Sequence, residues 1–510
     1  MKKHKMQNRR FKKICIVNPP SPSGFVSNKD SMGGFGQLYP IGAPPFPPLD
    51  MVYLASYLIE KKVPINVFEC LGLTLTKEQL VEKLDSLYRQ IGNKPILVVI
   101  RTSAPTLDWD ISVCQGIKER MNNIAIGIYG AVVPLVTWRI KNENSIDYII
   151  RGEPDDIVYE LITGCPETDI QGLTFRKNGS WVENSNRILF KDLDLLPFPK
   201  WEIFPYKAYT LPKSSTTSGL SFLPMLTSRG CPFGCDYCSY PVGQGLHWRF
   251  RSSKNVADEM EHLVNVLGIQ YIIFRDPVFT LNEKRVIEIC EEIKRRKLNF
   301  KWKCETRLDC LNEETLIAMA KAGCDGINCG IESVDTEVQA NVGRKPIAKG
   351  QVIKTIALCR KLGIKTFCFF IIGLPGDTLQ SILESISFGI DLRPNWIQFT
   401  AASPFIGTKL REWAVSKGFV AEDKYAYINC HEVTMGNENL SKDQILSLLH
   451  LAQFIQNYLI NRKGILKNEN RTGLFYKSMK SLADLISYHL AQAVFTFGKK
   501  RLGKRFAYVE

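Results

Sequence analysis

The chain has 510 residues, of which 45% are hydrophobic and 23% are charged, a balance typical of a globular protein with roughly two to four domains. This composition excludes collagen-like, low-complexity and disordered chains. No apolar run approaches the roughly 20 residues that cross a bilayer, and no signal-peptide pattern follows the basic N-terminal residues. We therefore expect a cytoplasmic protein.

The net charge of +15 is concentrated in two segments, because residues 1–13 carry +7 and residues 461–510 carry +8. The residues between them are neutral overall. Enzymes that act on nucleic acids usually carry positive charge along a cleft of the body, so we expect no nucleic-acid partner. Basic ends suit an anionic surface, either a membrane or RNA, or they act only as solubilising tails.

Short apolar runs alternate with helical patterns over residues 13–164. The predicted strands are Ile14–Val17, Ile65–Glu69, Ile96–Ile100, Ile124–Tyr129 and Tyr148–Ile150, and the predicted helices are Leu49–Glu60, Leu80–Ile91 and Ile111–Met121. This alternation predicts an open, doubly wound parallel sheet, in which ligands bind at the carboxyl ends of the strands.

Residues 165–220 contain scattered Gly and Pro and predict a linker with a small β element. Over residues 221–410 strands and helices alternate again, in six βα units. A complete (β/α)8 barrel has more units, so the pattern predicts a partial (β/α)6 barrel. Residues 411–510 are mostly helical in pattern, with a basic end. The predicted fold class is therefore α/β, with a doubly wound parallel sheet, a partial barrel and a helical tail.

Three cysteines, Cys231, Cys235 and Cys238, follow the first predicted strand of the barrel in a C-x3-C-x2-C pattern. Thiolates at this spacing can converge on one metal centre. Zinc favours a fourth ligand and paired C-x2-C units, and the only nearby histidine is His247. An iron–sulfur cluster held by three thiolates leaves one iron open for another ligand.

This cysteine pattern resembles the cluster motif of the radical S-adenosylmethionine (SAM) superfamily. The resemblance continues along the barrel, in the segments Phe274–Thr280, Glu305–Arg307, Gly330–Ser333, Ile372–Gly376 and Ser403–Thr408. The chain departs from the family at Pro277, where relatives often have Asp, and at Phe405-Ile406, where they often have Tyr-Pro. The first departure bears on the site around Asp276.

The resemblance implies a 4Fe-4S cluster on the three cysteines and a SAM site beside it. The implied SAM contacts are Tyr237, Asp276, Arg307, Glu332, Gly373 and Pro375. Arg307 suits the SAM carboxylate because its guanidinium has a fixed fork of donors. Glu332 can accept hydrogen bonds from the ribose or the amino group, and Gly373 allows backbone to approach the adenine closely.

The order of a doubly wound domain, a linker and this barrel resembles the cobalamin-binding class of the superfamily, as do the segments Pro47–Leu58 and Tyr148–Glu153. The implied cobalamin contacts are Thr102, Ser103, Thr106, Gly130, Gly152 and Glu153. Residues 5–246 contain no histidine, so the Asp-x-His-x-x-Gly motif that ligates cobalt in many methyltransferases is absent. The alternative is a sheet domain that binds nothing, or another nucleotide.

The resemblance implies reductive cleavage of SAM at the cluster and, with cobalamin, methylation of an unactivated carbon or a phosphinate phosphorus. The substrate is expected to be a small molecule or lipid-like, and the electron donor a low-potential flavodoxin or ferredoxin. A radical cyclase or rearrangement enzyme with the same cofactors is the main alternative. A tRNA methylthiotransferase would need further clustered cysteines, and a regulatory sensor would need a DNA-binding element; neither pattern is apparent.

In the tail, apolar residues recur at steps of mostly three and four between Leu474 and Phe495, so one helical face is apolar. A basic run, residues 499–505, follows directly. An apolar stripe of this kind packs on the protein core or, with adjacent cations, binds an anionic bilayer. A peripheral membrane contact is the second of these alternatives.

Overall fold

The computed structural model describes residues 10–456, except residues 122, 210–218 and 428. The apolar and basic pattern of residues 474–505 lies outside the described residues. Within the described ranges, no helix combines the length and apolar character that a membrane span requires.

The N-terminal part of the chain is built on a twisted sheet with helices on both faces. Its strands are Lys13–Asn18 (β1), Phe25–Asn28 (β2), Gln37–Pro40 (β3), Ile65–Glu69 (β4), Ile96–Arg101 (β5), Ile124–Tyr129 (β6), Tyr148–Ile150 (β7), Leu173–Lys177 (β8) and Ser180–Glu183 (β9). Its helices are Leu49–Glu60 (α1), Lys77–Gln90 (α2), Leu107–Arg120 (α3), Thr137–Ile140 (α4) and Pro154–Ile162 (α5). The main sheet has the order β4-β1-β5-β6-β7-β8-β9, and β2 and β3 form a separate antiparallel hairpin.

The side chains of each central strand alternate between the two faces of this sheet. Ile14 and Ile16 of β1 pack with α1 and α5, whereas Cys15 and Val17 pack with α2 and α3. Strands covered on both sides read as continuous apolar runs, which is why these strands were recognisable in the sequence. The parallel strands and their two helical layers confirm the doubly wound architecture.

Strands β8 and β9 lie in the segment predicted as a linker with a small β element. They extend the main sheet: β8 pairs antiparallel with β7, with Ile150 opposite Leu173 and Tyr148 opposite Phe175, and β9 pairs antiparallel with β8. Strand β7 would otherwise be an exposed edge with unpaired backbone groups. Leu173 and Phe175 are fully buried, so this extension belongs to the core.

The second part of the chain is a six-stranded parallel sheet with the strand order β10-β13-β14-β15-β16-β17, which confirms the partial barrel. The strands of this part are Phe222–Met225 (β10), Ser228–Arg229 (β11), Arg249–Phe250 (β12), Tyr271–Phe274 (β13), Lys301–Arg307 (β14), Cys324–Glu332 (β15), Lys365–Ile372 (β16) and Trp396–Ala401 (β17). Its helices are Tyr240–Gln244 (α6), Ser253–Glu261 (α7), Glu283–Arg295 (α8), Glu313–Lys321 (α9), Thr336–Asn341 (α10), Lys349–Lys361 (α11), Leu379–Leu392 (α12), Lys409–Ser416 (α13) and Lys442–Ile455 (α14).

The barrel strands present two different faces. In β14, Trp302 and Cys304 are buried in the core beneath the outer helices, while Lys303 and Glu305 alternate with them and are half-buried. The same alternation runs through β16 and β17. The half-buried residues therefore line the concave face of the barrel.

Candidate functional site

The three cysteines lie in the loop between β11 and α6, at the carboxyl end of the barrel. The backbone N–H of Cys231 donates to the carbonyl of Gly245 (3.1 Å), and that of Cys238 donates to the carbonyl of Cys235 (3.0 Å). Burial raises the pKa of the Cys231 and Cys238 thiols, and the neighbouring thiols raise both further. The three side chains are therefore near one another.

Arg307, at the end of β14, lies against this loop. Its Nη1 is 3.7 Å from Sγ of Cys235, and its guanidinium lies 4.1 Å from the ring centroid of Phe233. The same guanidinium donates to both carboxylate oxygens of Asp309, at 2.9 and 2.8 Å. Burial would raise the pKa of Asp309, but Arg307 holds it below its usual value.

Arg344 is a second buried cation, which the sequence reasoning missed. Its Nη1 donates to the hydroxyl of Tyr237 (3.1 Å), its Nη2 donates to the carbonyl of Gly330 (2.6 Å), and Nη1 lies 3.6 Å from Oε1 of Glu332. The residue is only 4% exposed, and its Nε has no hydrogen-bond partner among the described residues. Arg344 therefore joins two residues predicted to contact SAM.

Glu332 ends β15 in an unusual backbone conformation. Its φ is 68°, in the left-handed region that is uncommon for residues other than glycine. The pairing of β15 with β16 shifts register between Gly330 and Glu332, as in a β-bulge. Bulges of this kind re-aim a side chain next to a functional site. Burial raises the pKa of the Glu332 carboxyl, against the opposing effect of Arg344.

The turn after β16 is held by one buried carboxylate. The backbone N–H groups of Gly373 and Leu374 both donate to Oδ2 of Asp377, at 3.0 and 3.1 Å. Burial raises the pKa of Asp377 to about 6. Gly373 has φ 89°, and a Cβ there would lie 2.9 Å from Cδ1 of Ile445 in α14, so the turn packs closely on that helix. Pro375 is half-buried beside it.

Asp276, a predicted SAM contact, is enclosed by protein groups at the end of β13. It has no exposed surface, and its carboxylate accepts hydrogen bonds from the backbone N–H of Thr227 (2.7 Å) and the hydroxyls of Thr227 and Ser228. These contacts bind the segment that leads into the cysteine loop to the end of β13. The structure therefore gives Asp276 a supporting role behind the site.

The carboxyl end of β5 carries three of the residues predicted to contact cobalamin, and all three are fully buried. The hydroxyls of Thr102 and Thr106 donate to Oδ2 of Asp110, at 2.8 and 2.7 Å, and Ser103 Oγ lies 2.9 Å from Thr106 Oγ1. Lys29 donates to both oxygens of the same carboxylate. The predicted contacts thus form a closed polar cluster around Asp110.

Loop 31–36 covers this edge of the sheet. A Cβ at Gly36 would lie 2.5 Å from Oγ of Ser103, and a Cβ at Gly34 would lie 2.8 Å from Cβ of Ala131. Both glycines have positive φ, so side chains are excluded by conformation as well as by space.

The same loop touches the barrel next to the third cysteine. Ser239 Oγ donates to the carbonyl of Met32 (2.7 Å), and a Cβ at Gly33 would lie 2.9 Å from the Cα of Tyr240. The hydroxyl of Tyr240 in turn donates to Glu305 (3.2 Å). Residues next to the cysteine loop therefore contact the loop that covers the edge of the N-terminal sheet.

Unpaired polar atoms remain at the ligand edge of the N-terminal sheet. Oδ1 of Asn18 and the hydroxyl of Tyr129 are buried without hydrogen-bond partners among the described residues. Gly130 follows Tyr129, and a Cβ there would overlap the carbonyl oxygen of Thr102. Because buried polar groups are normally paired, these atoms fit a polar ligand at this edge.

Glu153 links the two halves of the chain. It accepts from Nη1 of Arg229 (2.6 Å) and Nη1 of Arg249 (2.9 Å), and from the backbone N–H of Phe190 (2.8 Å). Burial would raise its pKa, but the two arginines hold it below the usual value. Arg229 lies two residues before Cys231, so Glu153 anchors the cysteine loop. Gly152, with φ 99°, has no atom within 4 Å of a built Cβ.

The chemistry of the three thiols fits an iron–sulfur cluster, whose protein ligands are cysteine thiolates. Among the described residues, no group of three His, Cys, Asp or Glu side chains is arranged to hold a single metal ion. A cluster spaces its thiolates more widely, since each binds a separate iron. Burial raises the pKa of Cys231, and the positive charges of Arg307 and Arg344 partly oppose this effect.

The barrel and the chain as a whole are similar to known proteins. Residues 225–389 match the family model of the Radical SAM superfamily. An uncharacterised methyltransferase of Pyrococcus horikoshii is 29% identical over 452 residues, which are 88% of this chain and 92% of the relative. The anaerobic magnesium-protoporphyrin IX monomethyl ester cyclase of Rubrivivax gelatinosus is 27% identical over 377 residues, which are 70% of this chain and 64% of the cyclase.

Two solved structures share the fold over nearly the whole chain. The radical SAM methyltransferase TsrM of Kitasatospora setae, with cobalamin and a [4Fe-4S] cluster bound, has a TM-score of 0.62 and 17% identity, covering 94% of this chain and 90% of its own. The cobalamin-dependent radical enzyme OxsB, with aqua-cobalamin and SAM bound, has a TM-score of 0.69 and 14% identity, covering 98% of this chain and 76% of its own. The fold of both halves, and not of the barrel alone, is thus shared.

Proposed function

We propose that this chain, whose residues 225–389 form a radical SAM superfamily domain, is a cobalamin-dependent radical SAM methyltransferase acting on a small molecule. One observation supports the proposal above others. The cysteine loop, which includes Tyr237, lies beside Arg307, Arg344 and Glu332 on one side and contacts loop 31–36 on the other.

For the cluster, the proposed ligands are Cys231, Cys235 and Cys238. The proposed SAM contacts are Tyr237, Arg307, Glu332, Gly373 and Pro375, with Asp276 acting behind them. Glu332, aimed by its bulge, offers a carboxylate to hydroxyl or amino donors, and Arg344 compensates its charge. A buried carboxylate without a cation nearby would tend to be protonated and lose this capacity.

For cobalamin, the proposed region is the carboxyl edge of the N-terminal sheet, with Thr102, Ser103, Thr106, Gly130, Gly152 and Glu153. The unpaired atoms of Asn18 and Tyr129 support a polar ligand there. Since three of the hydroxyls already bond within the cluster around Asp110, their proposed role is to shape the floor of the site. Glu153 would act through the two arginines that it holds.

When bound, the cluster, SAM and cobalamin supply the radical and methyl-transfer chemistry that the side chains of proteins lack. The chain's own contribution is to hold the two halves in register. Glu153 and Arg229 connect the N-terminal sheet to the cysteine loop, and Ser239 connects the loop back to Met32. At the second contact the backbone of Gly33 also packs closely on Tyr240, where a Cβ would lie 2.9 Å from its Cα.

The testing experiment is anaerobic purification with cobalamin and reconstitution of the cluster, followed by incubation with methyl-deuterated SAM and a reductant. Mass spectrometry of a cell-extract substrate pool should reveal products that carry the deuterated methyl group. Absence of both methylated product and 5′-deoxyadenosine, in protein with full cluster content, would contradict the proposal.

A second candidate, a radical cyclase or rearrangement enzyme, is favoured by the similarity to the Rubrivivax gelatinosus cyclase. The two candidates predict different products. A cyclase would consume SAM without adding the labelled methyl group to the substrate, so the same mass spectra separate them.

Two partners belong to the proposal. The first is a low-potential flavodoxin or ferredoxin that reduces the cluster. The second is an anionic membrane surface, which the apolar spacing of residues 474–495 and the basic run 499–505 would suit. Flotation of the full chain and of a 1–470 truncation with anionic liposomes tests the second partner; equal flotation of both would reject it.

A further inference from the structure

The concave face of the barrel below the cysteine loop, termed the chamber, is lined by half-buried residues that the parallel register places in rows. Lys303 of β14 lies beside Ile273 and Gly326, and Glu305 lies beside Asn328. These positions are half-buried, in contrast to the fully buried positions that alternate with them. The chamber therefore has accessible side chains at two depths below Arg307.

Most charges of this chamber are paired. Arg275 forms an ion pair with Glu305, with Nη1 2.6 Å from Oε1. At the deeper end, Lys365 forms an ion pair with Asp325 (3.0 Å). Each pair is neutral, so neither gives the chamber a net charge.

Lys303 is the exception. Among the described residues, its ammonium makes no hydrogen bond and no ion pair with a carboxylate. It lies near the ring of Phe367, with Nζ 5.4 Å from the centroid. Burial lowers the pKa of Lys303, and the nearby carboxylates of Glu305 and Asp325 only partly oppose this effect. A half-buried ammonium that no carboxylate contacts directly is costly unless a ligand supplies an anion.

Apolar groups border Lys303 on one side. Gly326 lies between the two lysine-bearing strands, and a Cβ there would lie 3.1 Å from Cε2 of Phe367 and 3.6 Å from Cβ of Lys303. The missing side chain lets the Phe367 ring lie down against the strand next to Lys303. Phe369, two residues along on the same face, is also half-buried. An apolar surface thus borders the unpaired cation.

We propose that the substrate carries an anionic group, a carboxylate or a phosphonate, that binds Lys303, and an apolar part that packs on Phe367 and Phe369. The proposal rests on the proposed function, since it takes the barrel chamber as the substrate site. It is distinct from the SAM site, because Lys303 lies four residues along β14 from Arg307. Lysine suits either anion, as a compact point charge without the directional fork of arginine.

Binding of small probes to the full chain in the absence of SAM tests the proposal. The probes are trifluoromethyl-phenylacetate, the corresponding phenylacetamide and the corresponding benzylphosphonate, followed by fluorine NMR. The wild type should bind at least one anion about tenfold more tightly than the amide, as a single charge-assisted contact provides. The tighter anion identifies the class of substrate group.

Three variants locate the effect. Lys303→Met should lose the preference for the anion, and Lys303→Arg should retain most of it. Lys301→Met removes the same charge from the exposed start of the same strand and should leave the preference within about twofold of the wild type. If Lys303→Met does not fold, as judged by circular dichroism, Lys303→Gln takes its place.

The proposal is overturned if the wild type binds the amide as tightly as both anions. It is also overturned if folded Lys303→Met or Lys303→Gln still prefers the anion over the amide as strongly as the wild type does. These readouts involve no SAM cleavage. Their failure would therefore leave the proposed function standing, while failure of SAM cleavage would leave the measured affinities unchanged.

Discussion

Gly330 and Glu332 are fitted to each other at the end of β15: a Cβ on Gly330 would overlap Oε1 of Glu332. The backbone between them bulges, and Glu332 has a left-handed φ of 68°. The absence of a side chain at Gly330 thus creates the space that the Glu332 carboxylate occupies. The glycine is required by the position of that carboxylate.

Gly330→Ala should therefore displace Glu332 without unfolding the protein, because the overlapping atom is the end of a flexible side chain. We expect SAM affinity, measured by equilibrium dialysis, to fall about tenfold or more, the loss of one hydrogen bond to a charged group. Gly350→Ala is the matched control. A Cβ at Gly350 meets nothing within 4 Å, and alanine in helix α11 should be neutral or stabilising by about 0.5 to 1 kcal/mol. Equal SAM affinity in the two variants would contradict this assignment.

Arg344→Met should weaken SAM binding by about tenfold or more and also destabilise the apo-protein. The variant removes the donor to Tyr237 and leaves Glu332 buried without its cation. Loss of one partner of a buried ion pair typically costs about 3 to 5 kcal/mol, which denaturant unfolding can measure. Lys345→Met, at the exposed neighbouring position, provides the control. Wild-type SAM affinity in a folded Arg344→Met variant would exclude a positioning role.

The strands of the N-terminal sheet were predictable because their apolar runs are continuous and bounded by polar turns. Ile124–Tyr129 and Tyr148–Ile150 have the predicted bounds. The pairing of β8 with β7 was not predictable, because a short strand does not indicate which edge it will join. That choice depends on the tertiary edge that needs covering.

The candidate site was predictable only in part, for a similar reason. The spacing of the cysteines and the strand-end motifs that contain Arg307 and Glu332 are local patterns, so they can be recognised in the sequence. Arg344 belongs to no motif, and its role arises because the loop after α10 returns to Tyr237. The left-handed backbone conformation of Glu332 could not be predicted from the sequence either, because this conformation is expected mainly at glycine and asparagine.

Replacement of Cys231, Cys235 or Cys238 by alanine should abolish the cluster, because each thiolate is one of three proposed protein bonds to iron. The measurement is the iron and sulfide content after anaerobic reconstitution. Cys165→Ala is the control, since that half-exposed thiol lies in the segment after α5, away from the loop. Full iron content in the triple variant would refute the assignment.

Glu153→Gln should destabilise the protein near neutral pH by about 3 kcal/mol, because it leaves Arg229 and Arg249 without their shared anion. The pKa of Glu153 is lowered in the folded state, so its stabilisation is complete above the unfolded pKa of about 4.3 and is lost as the pH falls through the folded value. The difference in unfolding free energy between the wild type and Glu153→Gln should therefore shrink below about pH 4. A difference that grows on acidification would contradict the sign.

Asp155, near the same arginine, should show the opposite dependence. Burial raises its pKa to about 7, and its Oδ1 has no hydrogen-bond partner among the described residues. The folded state therefore favours the protonated form, and stability is lost as the pH rises from about 4 towards 7. Asp155→Asn should be more stable than the wild type above pH 7, by about 1 kcal/mol or more, and similar to it near pH 4. Urea unfolding at the two pH values checks this; a destabilised variant at high pH would show that the ionised form is needed.

The N-terminal sheet should bind cobalamin without a nitrogen ligand from the protein. Residues 5–246 contain no histidine, and the polar groups that face the carboxyl edge of this sheet are hydroxyls, amides, carboxylates and paired cations. Neutral imidazole is the commonest nitrogen ligand of metals in proteins, so residues 5–246 offer no good nitrogen ligand for cobalt. Electron paramagnetic resonance of the cob(II)alamin complex should give the same spectrum with unlabelled and nitrogen-15-labelled protein. Labelling the protein alone separates a protein nitrogen from the nucleotide base of the cofactor itself. A spectrum whose nitrogen splitting changes on labelling would reveal a protein ligand, and a chain that takes up no cobalamin during reconstitution would remove the premise.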